Sequence, residues 1–233
     1  MKHTFDYKTN FRILKGGKIS MVVAAFLAGA TMSFAAPASN ALPTGGSVAS
    51  GTANISSNQN VMNINQTSQK SIINWNSYNI GSSATVNYNF AQSGSSSLNR
   101  VLSNNPSEIY GNLNANGKVI LVNPNGIVFG RGASVNVGSL VATTMNIKDA
   151  DYLSDNLVFT RDNALGTIIN EATITAEENG YIALLSTQVQ NDGVIRALKG
   201  TVSLAAGEKI ELTLDNTGLK TVIVEPSTIE TLI

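Results

Sequence analysis

A spacing of about 21 residues recurs along the chain, and few folds are compatible with it. The stretches NEATITAEENGYIALL (170–185) and NDGVIRALKGTVSLA (191–205) share an Asn, an acidic residue, Ile-x-Ala and a Gly-x-[Ile/Val]-x-Leu segment. The matching positions 21 residues apart are Asn170 and Asn191, Ile174 and Ile195, and Ala176 and Ala197. Short alternating strands repeated at this interval are typical of a β-solenoid, in which each repeat forms one coil.

Glycine positions extend this spacing towards the N-terminus. The stretch LNANGKVILV has the same form, and its Gly117 lies 21 residues before Gly138 and three times that distance before Gly180. Gly180 and Gly200 are 20 residues apart. The recurring glycines therefore predict that successive coils turn at equivalent positions, where short strands are joined by small residues.

Alternation along a strand predicts which side chains face the inside of the solenoid. In GTVSLAAG, the inward set is expected to be Val202, Leu204 and Ala206. Thr201 and Ser203 are expected to face water.

The N-terminal 41 residues have the character of a signal peptide. A basic start precedes the uncharged stretch ISMVVAAFLAGATMSF (19–34), and small residues then cluster in SFAAPASNALP. This order predicts export by the Sec machinery, with signal peptidase cleaving between about residues 35 and 41. The alternative is a membrane anchor, but an apolar stretch of 16 residues is short for a membrane span.

Composition argues against several classes of function. The formal net charge is zero, so no basic field would attract nucleic acid. The single histidine, His3, would be lost with the signal peptide, and the chain has no cysteine. No metal or cofactor is therefore expected, and neither nucleophilic nor zinc chemistry has its usual side chains.

Two regions depart from the repeat. Residues 42–110 contain most of the aromatic residues of the expected mature chain and no acidic residue before Glu108, and we interpret them as an N-terminal capping region. The coils are then expected over about residues 111–225. Residues 144–166 are rich in charge, which favours a short, solvated excursion from the coil path. The charged residues are Lys148, Asp149, Asp151, Asp155, Arg161 and Asp162.

The stretch VNPNGIVFG (122–130) places a tight turn between two aliphatic runs. Pro124 presets φ for the second position of a turn, Asn125 tolerates the third, and Gly126 can adopt a positive φ. Asn123 can hydrogen-bond exposed backbone groups of the turn. The sequence thus predicts a corner of the solenoid here, with the next corner at Gly130 and Gly132.

Several motifs carry a resemblance to a known family. They are LPTGGSVASG (42–51), INQTSQKSIINWNSYNIG (64–81), LNRVLSNNPSEIYGNLNANGKVILVNPNGIVFGRGASVNVGSLVATT (98–144) and GTVSLAAGEKIEL (200–212). Together they closely resemble the secretion domain at the start of filamentous-haemagglutinin-like exoproteins, the cargo of two-partner secretion in Gram-negative bacteria. The resemblance covers about residues 42–214, nearly all of the expected mature chain.

The resemblance implies an all-β fold, a right-handed parallel β-helix with an N-terminal capping region. It also implies recognition in the periplasm by a partner outer-membrane β-barrel transporter with POTRA modules, and folding after export to the cell surface. The family's second motif, NPNL, is absent. Transporter recognition is therefore carried over only to the NPNG residues Asn123, Pro124, Asn125 and Gly126.

Two other functions stay open on the sequence alone. One is an adhesin that binds host cells or glycans in its own right, for which Tyr78, Tyr88 and Phe90 could stack on sugars if they were exposed. The other is a β-helical polysaccharide-degrading enzyme, which would need paired carboxylates. Glu177 and Glu178 are adjacent and expected at a solvated corner. Asp149, Asp151 and Asp155 resemble a calcium site only loosely.

Overall fold

The computed structural model describes residues 36–92, 94–215 and 218–225, and the backbone alone of 18–22. Most of the expected signal peptide lies outside the described residues, which include only residues 36–41 of the range in which cleavage is expected. Within the described part of the chain, no helix has both the length and the apolar composition needed to cross a membrane.

The described residues form strands throughout, with a single short helix among them. In chain order they are β1 (Lys18–Val22), β2 (Ser47–Ser50), β3 (Ala53–Asn58), β4 (Val61–Gln66), β5 (Lys70–Trp75), β6 (Thr85–Phe90), β7 (Ser96–Val101), β8 (Ser107–Ile109), β9 (Asn112–Val122), β10 (Ile127–Phe129), β11 (Ser134–Thr143), α1 (Asp149–Leu153), β12 (Leu157–Thr160), β13 (Ile168–Asn170), β14 (Thr173–Ala176), β15 (Tyr181–Ser186), β16 (Val189–Asn191), β17 (Val194–Ala197), β18 (Thr201–Ala206), β19 (Lys209–Asp215) and β20 (Gly218–Glu225).

Parallel pairing arranges most of these strands into three faces of a solenoid. Face 1 stacks β4, β6, the first half of β9, the first half of β11, β14 and β17. Face 2 stacks β5, β7, the second halves of β9 and β11, β15 and β18, and β1 pairs with β18. Face 3 stacks β8, β10, β13 and β16. The expected fold, a right-handed parallel β-helix with an N-terminal cap and an extra-helical excursion, is confirmed.

Inward-facing side chains form columns in the lumen because the coils are stacked in register. On face 1, one column is wholly aliphatic apart from a methionine at its start. Its members are Met62, Val86, Leu113, Val135, Ile174 and Ile195. Ile174 and Ile195, matched in the repeat, are direct partners. These side chains belong to one continuous apolar core, the main source of stability in such a fold.

The outward surface of face 1 is polar and carries stacked asparagines. Asn87 Nδ2 donates to Asn63 Oδ1 at 3.1 Å, and Asn114 Nδ2 donates to Asn87 Oδ1 at 3.0 Å. Each side-chain amide thus binds the amide of the preceding coil, as in other stacked strands with identical side chains in register.

Four glycines stack at the corner between face 1 and face 2. A Cβ atom on Gly138 would lie 2.8 Å from the carbonyl oxygen of Gly117. A Cβ on Gly180 would collide with the carbonyl oxygen of Gly138, and one on Gly200 with that of Gly180. The spacing of these glycines in the sequence therefore reflects the close approach of successive backbones.

The excursion and the C-terminal hairpin form a second apolar core on the outer surface of face 2. β12 pairs antiparallel with β19, which pairs antiparallel with β20. Buried side chains of the excursion pack against outward-facing residues of the coils, such as Leu98 and Val141. These excursion residues are Met145, Ile147, Tyr152, Leu157 and Phe159. The prediction of a solvated excursion is therefore wrong. Its charged side chains are exposed or half-buried, but the apolar side chains named above are buried.

The same layer corrects one prediction about β18. Ser203 was expected to face water, but it is buried. It points outward from the lumen, where the C-terminal hairpin covers this strand, and Thr201 Oγ1 donates to the carbonyl oxygen of Leu219 at 3.2 Å. Leu204 faces the lumen as expected, and it is only partly buried.

The N-terminal end of the solenoid combines antiparallel and parallel strands. β2 pairs antiparallel with β5, and β3 pairs antiparallel with β4. Parallel pairing begins with β4 and β6, so coils extend into the range for which the sequence predicts a cap. The antiparallel strands supply hydrogen bonds at an end that would otherwise expose unpaired edges.

A buried polar network crosses the lumen at this end. Trp75 Nε1 donates to Asn99 Oδ1 at 3.0 Å, and the Tyr88 hydroxyl donates to the same oxygen at 2.7 Å. The Tyr78 and Tyr88 hydroxyls lie 2.9 Å apart. Burial raises the pKa of both phenols well above the usual range, so they stay neutral hydrogen-bonding groups.

The glycine corner generates the first testable prediction. Replacing Gly200 with Ala places a methyl group against the backbone of Gly180, so the coils must separate locally. We expect the free energy of unfolding to fall by about 1–3 kcal/mol, as for other overpacked sites. Urea denaturation followed by circular dichroism measures the change. The exposed Arg196→Ala variant in the adjacent strand is the control, with an expected change within about 0.5 kcal/mol. Equal stability of the two variants would contradict the close-approach argument.

Candidate functional site at the NPNG corner

The NPNG residues form a tight turn between β9 and β10, at the corner where face 2 meets face 3. Gly126 N donates to the carbonyl oxygen of Asn123 at 3.1 Å, which closes the turn. Asn125 N donates to Asn123 Oδ1 at 3.0 Å, a side-chain turn typical of asparagine. Gly126 has a φ of 117°, a conformation that other residues adopt only with strain.

Asn123 is fully buried and connects neighbouring coils. Its Nδ2 donates to the carbonyl oxygen of Asn105 at 3.0 Å and to Ser107 Oγ at 2.9 Å, both in the preceding coil. Its backbone N donates to the carbonyl oxygen of Thr143 at 2.9 Å in the following coil. One asparagine thus satisfies polar groups on both sides of the corner.

The turn also contacts both ends of the excursion. Thr143 ends β11, where the chain leaves the coil path, and its carbonyl oxygen binds Asn123 N. On the return, Gly166 N donates to the carbonyl oxygen of Pro124 at 3.0 Å, and Ile127 N donates to that of Thr167 at 3.0 Å. The NPNG corner therefore supports the point at which the excursion departs and rejoins.

The four motif residues differ in accessibility. Asn123 and Gly126 are buried, Pro124 is half-buried and Asn125 is exposed. In the folded domain, the first pair can hold the corner together, and only the second pair can contact another molecule.

Sequence reasoning missed part of this corner. Asn105 and Pro106 in the preceding coil repeat the Asn-Pro pair 18 residues before Asn123, and Asn125 Nδ2 donates to the carbonyl oxygen of Ser103 at 2.8 Å. This earlier Asn-Pro pair was visible in the sequence, but its spacing differs from that of the repeat. Leu165, next to Gly166, is 79% exposed, and no sequence pattern predicts the exposure of this leucine.

A buried carboxyl group lies beside the corner in β8. Glu108 is 8% exposed, and burial raises the pKa of its carboxyl group above the usual value. Glu108 pairs with Val128 across face 3. The pKa of Tyr110 is raised too, by its burial and then by the charges of Glu108 and Glu171.

The structure separates the other candidate residues. Glu177 and Glu178 are exposed, and Glu178 forms an ion pair with Lys199 of the next coil. Asp149 and Asp155 each form an ion pair with a cation of the first coils. Within the described ranges, no group of three His, Cys, Asp or Glu side chains is arranged to hold a metal ion. Tyr78, Tyr88 and Phe90 lie in the lumen core, where they cannot stack on a sugar.

The chain is similar to several known proteins. The family model described as the TPS secretion domain matches residues 39–228. A heme/hemopexin-binding protein of Haemophilus influenzae (strain ATCC 51907 / DSM 11121 / KW20 / Rd) is 35% identical over 225 residues, which cover 92% of this chain and 24% of that protein. A second heme/hemopexin-binding protein of Haemophilus influenzae is 41% identical over 100 residues, covering 43% of this chain and 11% of that protein. The chain thus spans about a quarter or less of these relatives.

Two solved structures share the fold. The crystal structure of the HMW1 secretion domain from Haemophilus influenzae has a TM-score of 0.75 and 33% identity, and the match covers 80% of this chain and 50% of that one. The filamentous haemagglutinin secretion domain has a TM-score of 0.52 and covers 80% of this chain and 70% of that one. Its identity is 15%, so this second likeness shows the fold alone.

The buried asparagine gives a prediction on stability. Asn123→Val leaves the carbonyl oxygen of Asn105 and Ser107 Oγ without their donor, so we expect the free energy of unfolding to fall by roughly 1–3 kcal/mol. Gly126→Val should have a similar cost, because valine is strained at this positive φ. Chemical denaturation measures both. The exposed Asn104→Ala variant should change stability by less than about 0.5 kcal/mol, and an equally small effect of Asn123→Val would contradict the proposed linkage.

Glu108 gives a prediction on pH dependence. Because its pKa is raised in the folded state, the charged form is disfavoured there, and the domain loses stability as pH rises through the unfolded and then the folded pKa. Glu108→Gln should therefore be more stable than the original chain at pH 7. The difference should disappear below the unfolded value of about 4.3. Denaturation midpoints measured from pH 3.5 to 8 test this; a difference that does not depend on pH would contradict it.

Proposed function

This chain belongs to the family of TPS secretion domains, the N-terminal domains of two-partner secretion exoproteins, and we propose on that premise that it directs the export of such a protein. Its partner in this proposal is an outer-membrane β-barrel transporter with POTRA domains. The observation that carries the proposal is the family match over residues 39–228, which spans all three faces of the solenoid. This family is one of secreted, non-enzymatic proteins.

The proposed route begins at the inner membrane. The Sec machinery exports the chain, and signal peptidase cleaves it between about residues 35 and 41. The unfolded secretion domain, residues 42–233, then reaches the transporter through the periplasm of a Gram-negative cell. Extended segments such as residues 134–143 can add as strands to the edge of a POTRA sheet. Backbone hydrogen bonds would then give affinity, and alternate side chains would give selectivity.

The NPNG motif can act before the domain folds. The closing hydrogen bond and the asparagine side-chain turn join residues no more than three positions apart, so they need no neighbouring coil. We propose that the transporter recognises this local turn in the unfolded chain. Pro124 and Asn125 are the residues best placed to make contact, because Asn123 and Gly126 are occupied in shaping the turn.

Folding outside the cell would make export one-way. The two apolar cores can form only when the coils and the layer covering face 2 have both emerged. Their burial releases free energy that a return through the transporter would have to restore. The folded domain would then remain at the cell surface or in the medium.

No described contact favours the adhesin alternative. Its aromatic residues are core residues, so binding to host cells or glycans through them is not part of the proposal. The heme/hemopexin-binding activity named for the curated relatives belongs to proteins about four times as long.

Co-expression tests the proposed route. In a Gram-negative host, the chain should appear in the medium when its partner barrel is present and remain in the periplasm when the barrel is absent. The readout is the amount of the chain in each fraction. Equal amounts in the medium under both conditions would contradict the proposal.

The same assay distinguishes recognition from architecture. Pro124→Ala removes the preset φ of the turn at a half-buried position, and its cost in stability should be at most about 1 kcal/mol. Export should nevertheless fall, while export of the Asn104→Ala variant should not. Unchanged export of Pro124→Ala would assign the motif to architecture alone.

A further inference from the structure

The excursion reaches back along the solenoid to coils that lie well before its own. It leaves face 2 after β11 and contacts β5 and β7, although β9 lies between β11 and β7 in the ladder. Such contacts are unusual in solenoids, where each coil normally touches only its neighbours. Ile72 and Leu98 make the apolar part of these contacts. Two cations and one hydroxyl group make the polar part.

Lys70 in β5 holds the end of α1. Its Nζ donates to the carbonyl oxygens of Tyr152 at 3.1 Å and Leu153 at 2.8 Å, and it forms an ion pair with Asp155 at 2.8 Å. It also lies 5.7 Å from the centroid of the Tyr152 ring. The Lys70 side chain is only 19% exposed, so these interactions are less screened than those of a surface lysine.

Arg100 and Ser96 in β7 hold the rest of the helical segment. Arg100 Nη2 donates to the carbonyl oxygen of Ile147 at 2.8 Å and pairs with Asp149 at 2.9 Å. Ser96 Oγ lies 2.8 Å from the Tyr152 hydroxyl. Burial raises the pKa of Tyr152 to about 12, so this phenol remains protonated near neutral pH.

We propose that Lys70 and Arg100 form a clasp that couples the stability of the first coils to the presence of the excursion. Residues 61–101 alone would have antiparallel neighbours at one end and a single coil at the other. The clasp ties them to a segment 47–85 positions later in the chain. The first coils therefore open less readily on their own than they would without the excursion.

The clasp has a consequence for export that rests on the proposed function. An emerging chain would not secure its first coils until residues 147–155 had also emerged. Early coils would thus stay weakly folded while the chain is still in transit.

Native-state hydrogen exchange on the purified chain, without any transporter, tests the clasp. In the Lys70→Met/Arg100→Met variant, amides of β4 to β7 should exchange roughly 5- to 30-fold faster, as expected when opening becomes easier by one or two kcal/mol. Amides of β14 and β15 should keep their original rates. Lys70→Arg should retain most of the protection, because arginine keeps the charge and the donors.

A matched control removes an ion pair that joins adjacent coils. Lys199→Met loses the exposed pair with Glu178 and should leave exchange in β4 to β7 unchanged. Equal acceleration in all strands of the Met/Met variant, or none in β4 to β7, would overturn the clasp. Because no transporter is present, either result would leave the proposed export function standing.

Discussion

Parallel stacking in register is the interaction on which the whole molecule depends. Each coil lies on the one before it, so every side chain has a partner about one strand spacing away along the axis. At several positions an apolar side chain, an amide or a glycine in one coil therefore keeps the same character in the next. The column from Met62 to Ile195, the asparagines from Asn63 to Asn114 and the glycines from Gly117 to Gly200 are three results of this constraint.

Corners are where this constraint is strictest, because the backbone turns and its polar groups lose their ladder partners. At the corner between face 1 and face 2, glycines without side chains allow the successive backbones to approach each other. At the NPNG corner, the Asn123 side-chain amide donates to two groups of the preceding coil, and its backbone N donates to the following coil. The NPNG motif is thus an architectural element first, and its accessible residues are those not needed for that task.

The sequence was informative where one side of a strand faces solvent and the other faces the lumen. Periodicity predicted the coils, the paired positions 174 and 195 and the shared glycine corner, and the NPNG residues predicted a turn of the observed kind. Alternation was not informative for strands that are buried on both sides. β15 is buried at every position, so its YIALLS sequence shows no alternation, and nothing local reveals that a second layer covers its outer surface.

The second layer was hidden for a related reason. Residues 144–166 looked solvated because their charged side chains dominate the composition, yet the residues between those charges complete an apolar core. The partners of Lys70 and Arg100 are equally invisible to pattern analysis, because they depend on coils far apart in the sequence coming together. Distance along the chain, rather than weak local preference, limited what could be foreseen.

The departure and return of the excursion at a single corner has a consequence for protein engineering. Thr143 and Gly166 both bind the same turn, so the excursion begins and ends at neighbouring points. Its length therefore does not alter the register of the stacked strands. A foreign sequence inserted into the excursion, away from its anchoring contacts, should therefore leave the register of the stacked coils unchanged. At the glycine corner successive backbones are in close contact, so an insertion there would shift the strands out of register.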